Sequence, residues 1–404
     1  MRYLEEQDGR HSHRQIWVHL LGAKTGGGLT YLHAVLPQIV SQLEGKGVRV
    51  VLLLPAPLEG IELPDWIEVR ALPLAARNGA TRFLFDQVIL PLWLKAQRGA
   101  VLYCSGSYSP LIKTVPTVAL LRNAIYFDGE FLKRELPLGR LLLRLQGALI
   151  ARGARSCLAV QYPSRSMRDL VESRHPELAT LGIVNHYGVD KNFTDAGCYT
   201  EPGPSPEKDS PKTFLYVMNY TLQKNMGFLL KALALAKRDG LRVRVVVTSC
   251  LKSGPASCWA QDRALIDEHD LIGSGYLVPV GPKHGDELIE LYRSVDACIF
   301  PSICESFGHP LVEAMVIGKP LICADRPYAH EICLEYPTYI DPDRPEQLLQ
   351  LWRDWPGDSL HSSSAMREEI LERLSWHAHV ANLIDILLGP SSPDRSEVDS
   401  VCAV

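Results

Sequence analysis

The sequence predicts an α/β protein built as two Rossmann-like domains that face one cleft. Three observations predict it. Apolar, β-rich runs alternate with helical patterns along the chain, the order expected of parallel sheets covered by helices. The two halves echo each other. A strand enters a loop at residues 16–21 and again at 214–217, helical patterns follow at 29–43 and 226–237, and then come VRVVLLL at 48–54 and VRVVVT at 243–248. These last runs suit strands buried on both faces. Finally, 404 residues exceed one ordinary core and suit two domains of about 150–200 residues each.

Residues 1–14 are polar and are expected to form a flexible lead, with the N-terminal domain over 15–194. Its first strand runs into Gly26-Gly27-Gly28, where missing side chains let backbone approach a phosphate closely. A glycine run is also a plain turn, and no Gly-Lys-Ser/Thr follows to make it a P-loop. Arg140, Arg144, Arg152 and Arg155 punctuate the apolar stretch RLLLRLQGALIARGAR. That pattern fits a helix lying on an anionic bilayer and equally a core helix with a basic outer face. Residues 195–212, DAGCYTEPGPSPEKDSPK, read as the linker. The C-terminal domain is expected over 213–364. In it, Lys224 at a helix start opposes the helix dipole, which favours a role as a point charge on a diphosphate. Val280-Gly281 ends a strand and either lies against a nucleobase or simply closes the strand. An amphipathic helix is expected over 365–388 and a disordered tail over 389–404.

Residues 301–318, PSICESFGHPLVEAMVIG, carry the most chemistry. The run Ala297-Cys298-Ile299-Phe300 before them reads as a buried strand, and Pro310 suits the first turn of a helix. Such a strand–loop–helix junction gathers free N–H groups and the positive helix end, which favours a bound phosphate. Glu305 and Glu313, eight residues apart, then flank that phosphate and can each accept hydroxyl hydrogen bonds. A nucleotide sugar has this shape: ribose hydroxyls, diphosphate, sugar hydroxyls. Taken singly, Glu313 reads as a first-turn helix stabiliser and Glu305 as a solvated loop residue; the pair with Ser306, Phe307 and Gly308 between them reads as a donor site. His309 reads as a helix-start residue rather than a base.

This segment resembles the Glu-x7-Glu signature of the retaining glycosyltransferases of family 4, which have the GT-B fold. The resemblance extends to Gly318-Lys319-Pro320, Glu331 and Asp341-Pro342 downstream, to residues 214–225 and Val280-Gly281 upstream, and more weakly to Gly26–Gly28 and NHYGVD at 185–190. It implies a nucleotide-sugar donor, most simply a UDP- or GDP-sugar, and a glycan, lipid-linked or small-molecule acceptor. It further implies that Lys224 and the amides of Phe307 and Gly308 stabilise the leaving diphosphate, that Glu305 holds the sugar, that Glu313 holds the ribose, and that Ser306, Gly27 and Gly28 help bind the donor. The helix over 365–388 would pack back on the first domain. Two positions depart from the family. Asn219 stands where an arginine is usual, which leaves more diphosphate charge to Lys224 and the amides. Leu121-Arg122-Asn123 stands where a histidine is common, so Arg122 and Asn123 become the acceptor-side candidates.

With 46% hydrophobic and 22% charged residues the composition is that of a soluble globular chain. A formal net charge of −4 argues against a nucleic-acid partner. No secretory leader and no run near the roughly 20 apolar residues of a membrane span are evident, which implies a cytoplasmic protein, with membrane contact limited to its periphery. Ten cysteines without a CxxC pair disfavour zinc, and Cys104, Cys157, Cys298 and Cys323 read as core. No metal or other cofactor is expected. Two alternatives stay open: an epimerase or hydrolase acting on nucleotide sugars, and a binding subunit in which Asn219 marks a decayed site.

Overall fold

The computed structural model describes residues 15–23, 27–58, 62–196, 210–355 and 364–389. The expected lead over 1–14, Gly26, residues 197–209 of the expected linker and residues 390–404 of the expected tail lie outside the described residues. The first domain holds a parallel sheet of seven strands: β1 Gln15–His19, β2 Arg49–Leu54, β3 Ile67–Ala71, β4 Ala100–Cys104, β5 Thr117–Leu120, β6 Ala159–Tyr162 and β7 Gly182–Val184. They lie in the order β3-β2-β1-β4-β5-β6-β7. The second domain holds six parallel strands: β8 Lys212–Tyr216, β9 Val243–Val247, β10 Leu277–Pro279, β11 Ala297–Phe300, β12 Leu321–Ala324 and β13 Thr338–Ile340. Their order is β10-β9-β8-β11-β12-β13.

The sequence echo is thus a structural one. β2 pairs with β1 and β9 with β8, both in parallel register. In β2, Val50, Val51, Leu52 and Leu53 are all buried, because helices cover both faces of the sheet. Each sheet changes its winding direction once, between β1 and β4 in the first and between β8 and β11 in the second. Ligand crevices open at the carboxyl ends of strands at such points. The turn toward Gly27 leaves β1, the Asn219–Lys224 loop leaves β8 and the Glu305–Gly308 loop leaves β11, so all three sequence candidates fall on these two crevices.

Two expectations need revision. Residues 195–196 complete a helix, Lys191–Ala196, and Lys212 already belongs to β8. The single helix expected over 365–388 is two helices, Ser364–Arg373 and Trp376–Leu388. Ser375 makes the break: its side chain accepts from the Ala378 amide and caps the second helix. Arg367 ties the first helix to the second domain through the Val316 carbonyl. The second crosses back, setting Trp376 and His379 edge-on against Tyr31 in the helix Gly27–Leu43.

The arginine-punctuated stretch forms the helix Pro137–Ala154. Its fully buried residues, Gly147, Ile150, Ala151, Gly153 and Ala154, all lie in its second half. Leu138, Leu141, Leu142 and Leu145 are 52–69% exposed. The outer face is therefore leucine beside arginine, not a purely basic face, and the helix contains no acidic residue. No helix among the described residues is long and apolar enough to cross a membrane.

Candidate active site

The loop after β11 builds the centre of the site. Gly308 ends it at φ +94°, a conformation that side chains rarely adopt, and a Cβ there would meet Leu311 at 2.9 Å. This kink opens the helix His309–Ile317, with Pro310 in its first turn. Phe307 turns its ring into the core, 1% exposed, while among the described residues no acceptor takes the Phe307 or Gly308 amide. Free amides at the positive end of a helix are the standard means of holding an oxyanion.

Lys224 reaches this loop from the other side of the crevice. Its backbone carbonyl accepts from Tyr216 Oη at 2.6 Å, and Ile303 N donates to the neighbouring Gln223 carbonyl at 2.9 Å. Asn225 follows at φ +54°, a left-handed residue that starts the helix Met226–Arg238 and donates from Nδ2 to the Pro342 carbonyl. So fixed, Lys224 Nζ lies 2.5 Å from Glu305 Oε1 and 4.7 Å from the Phe300 ring centre. The two side chains are 13% and 17% exposed. Sheltered from solvent, the pair keeps most of its electrostatic strength.

Glu313 lies one turn into the helix, partly accessible, with Oε2 accepting from Tyr292 Oη at 2.8 Å. Burial pushes its carboxyl up to about 7; the Tyr292 hydrogen bond opposes that, Asp190 of the first domain adds to it, and Lys224 opposes it. His309 stacks parallel on Tyr187 at 5.3 Å. Burial, and then the Arg122 and Lys224 charges, depress it to about 4, so it is neutral near pH 7. It therefore brings no positive charge to a phosphate, and its stack on Tyr187 marks a packing role.

The first domain closes the site from above. Ser306 Oγ donates to the Arg122 carbonyl at 2.7 Å, and Ser164 Oγ donates to the Ser306 carbonyl at 2.7 Å. The Ser306 hydroxyl is thus engaged in joining the domains. Glu331 does the same work further out, accepting from the amides of Arg165 and Ser166 at 2.6 and 2.7 Å and meeting His186 Nε2 at 3.0 Å. Burial alone would raise its carboxyl, but these hydrogen bonds hold it below the usual range.

The remaining candidates sit as follows. Gly27 and Gly28 begin the helix Gly27–Leu43, and a Cβ on Gly28 would come within 2.9 Å of Arg122 Nη2. Asn123 caps a short turn through the Ile125 amide. Asn219 is exposed on the loop after β8. Val280 and Gly281 close edge strand β10, two strands out from β8; Gly281 has φ +74° and packs close to Cys250. Cys104, Cys157, Cys298 and Cys323 are buried. An apolar pocket of about 410 Å³, lined by Ala23, Leu29, Leu32 and Leu54 among others, opens behind the β1 turn and contains none of the carboxylates. Tyr187, inside the NHYGVD segment, and Tyr292 shape the site from segments of the resemblance, and Trp376 does so without any motif to mark it.

Residues 200–370 match the family described as glycosyl transferases group 1. The chain is similar to the D-inositol 3-phosphate glycosyltransferase of Corynebacterium diphtheriae, 24% identical over 304 residues, which cover 69% of this chain and 64% of that one. The match thus spans less than two thirds of that relative's length. The fold is GT-B. A glycosyltransferase of Rickettsia africae superposes with a TM-score of 0.65 at 16% identity, covering 94% of this chain and all of that one. Anabaena Alr3699/HepE, solved in complex with UDP and glucose, superposes at 0.67 with 16% identity, covering 93% of this chain and all of that one.

Proposed function

We propose that this protein is a glycosyltransferase that moves a sugar from a nucleotide sugar to an acceptor hydroxyl with retention of anomeric configuration. The observation that carries the reading is the sheltered Lys224–Glu305 pair beside the free amides of Phe307 and Gly308, with Glu313 one turn further along the helix. The donor diphosphate lies on those amides and takes the Lys224 charge. Glu305 accepts from the sugar hydroxyls and Glu313 from the ribose. The bond between the anomeric carbon and the phosphate oxygen breaks, and its electron pair leaves with the diphosphate. The acceptor oxygen bonds to the same face of the oxocarbenium-like carbon and gives its proton to the departing phosphate. Lys224 and oriented amides stabilise that phosphate without reorganisation, so no metal is required.

The donor is a UDP- or GDP-sugar, the first supported by the UDP-bound Anabaena neighbour. The leucine face of the helix Pro137–Ala154 supports a protein held at the inner surface of a membrane, where a lipid-linked glycan acceptor would be met. We read this as a role in cell-surface glycan assembly. The test is turnover of UDP- and GDP-sugars with inositol phosphate and polyprenyl-linked acceptors, with the product anomer read by NMR. An α-donor is expected to give an α-product, and Lys224→Ala to lower kcat by about 10²–10³-fold. An inverted product would end the retaining assignment. Rapid acceptor-free conversion would favour an epimerase or hydrolase.

A further inference from the structure

The first domain holds a polar convergence beyond the proposed roles of Lys224, Glu305 and Glu313. Its crevice lies between β1 and β4, and the loops leaving those strands contain Gly22 and Gly106. Arg82, from the helix Gly79–Leu84, lays its guanidinium across both loops. A Cβ on Gly22 would sit 2.8 Å from Nη1, and one on Gly106 would sit 2.8 Å from Nη2. These two glycines leave the space that the guanidinium fills. One turn further on, Asp86 lies in a π-helical segment, Phe85–Ile89, a distortion frequent at functional sites. Its carboxylate is shared, 2.7 Å from His19 Nε2 and 3.5 Å from Arg82 Nε. The second distance is too long for a good hydrogen bond. Nε and Nη2 of Arg82 are accordingly buried with no hydrogen-bond partner among the described residues.

Arg122 stands on the other side of the same turn. A Cβ on Gly28 would meet its Nη2 at 2.9 Å and the Gly22 carbonyl at 3.0 Å. Its guanidinium lies 5.6 Å from the Tyr31 ring centre, and among the described residues it forms no ion pair. Two guanidinium groups therefore flank one glycine turn, with the carboxylate of Asp86 shared between His19 and Arg82. Buried donors without acceptors are costly, and a planar guanidinium matches the two oxygens of a phosphate or carboxylate.

We propose that Arg82 and Arg122 form a clamp for an oxyanion, a phosphate or carboxylate, carried by the acceptor. The proposal rests on the glycosyltransferase reading, because it sets the acceptor on the domain opposite the donor. The donor diphosphate offers the same chemistry, and the test separates the two sources. Inorganic phosphate is titrated into the full chain, alone and saturated with whichever of UDP or GDP binds. Phosphate is expected to bind in both cases. Arg82→Gln and Arg122→Gln should each weaken it about tenfold or more, the loss of one charge-assisted hydrogen bond. Arg82→Lys should recover part of that loss at an unchanged Tm, which separates binding from folding. Phosphate displaced by the nucleotide would assign the clamp to the donor and overturn the proposal. So would an Arg82→Gln protein that binds phosphate like the parent, or a parent that binds none. If neither nucleotide binds, the donor reading fails by itself. The clamp is then judged by whether Arg82→Gln, and not Lys224→Ala, loses phosphate.

Discussion

At the scale of single residues, Glu313 offers a pH signature. Its carboxyl is raised to about 7 by burial, above the unfolded carboxylate range. Ionising it costs more in the folded chain than in the unfolded one, so it lowers stability progressively as pH rises from that range toward 7. In the proposed role it must also ionise to accept from both ribose hydroxyls. Donor KM is therefore expected to fall as pH rises from 6 to 8, and Glu313→Gln to flatten that profile while raising KM. An unchanged profile in the variant would remove Glu313 from the ribose. Gly308 is a second point of leverage. Its φ of +94° and the 2.9 Å approach of Leu311 predict that Gly308→Ala loses about 1–3 kcal/mol of stability, and activity more than stability, as read by denaturant titration beside turnover. Glu305, Lys224 and Glu313 were legible because a local motif carries them. Arg82 was not: Gly22 and Gly106 are single glycines 84 residues apart, and only the pairing of β1 with β4 brings them under one guanidinium.

Among elements, the helix Trp376–Leu388 decides how the domains are joined. His379 is 1% exposed, its Nδ1 donating to the His186 carbonyl at 3.0 Å and its Nε2 accepting from Tyr31 Oη at 3.0 Å. Tyr31 Oη in turn lies 2.6 Å from Tyr103 Oη. This chain needs a neutral imidazole, and burial depresses His379 to about 4. The unfolded chain takes up that proton near pH 6.5 and the folded chain does not, so stability falls as pH drops from 6.5 toward 4. His379→Gln is expected to flatten that part of the Tm–pH curve. An equally steep curve in the variant would place the acid sensitivity elsewhere. The apolar pattern over 365–388 revealed helix but not the break, because Ser375 acts as a cap only through its geometry with Ala378.

For the whole molecule, the winding of two parallel sheets positions the candidate site: the loops leaving β1, β8 and β11 fall at the two switch points. The alternation of strands and helices and the echo of the halves made this architecture legible, since buried parallel strands must be apolar on both faces. The exposed leucines of the helix Pro137–Ala154 were not, because a helix pattern does not say which side is covered. Leu141→Ser with Leu145→Ser is expected to release the protein from anionic vesicles in a sedimentation assay and leave its Tm unchanged. Equal retention by both proteins would argue against a bilayer on that face. If Lys224 and the helix amides carry the diphosphate charge as proposed, turnover is expected to persist in excess EDTA, and complete, Mg²⁺-reversible loss would show that a metal takes part. Binding of a donor diphosphate between Lys224 and the helix His309–Ile317 is read by a thermal-shift titration with UDP, GDP and their sugars. One nucleotide series is expected to raise the Tm of the parent protein and to have little effect on Lys224→Ala. No stabilisation by either series, or equal stabilisation of the variant, would contradict it.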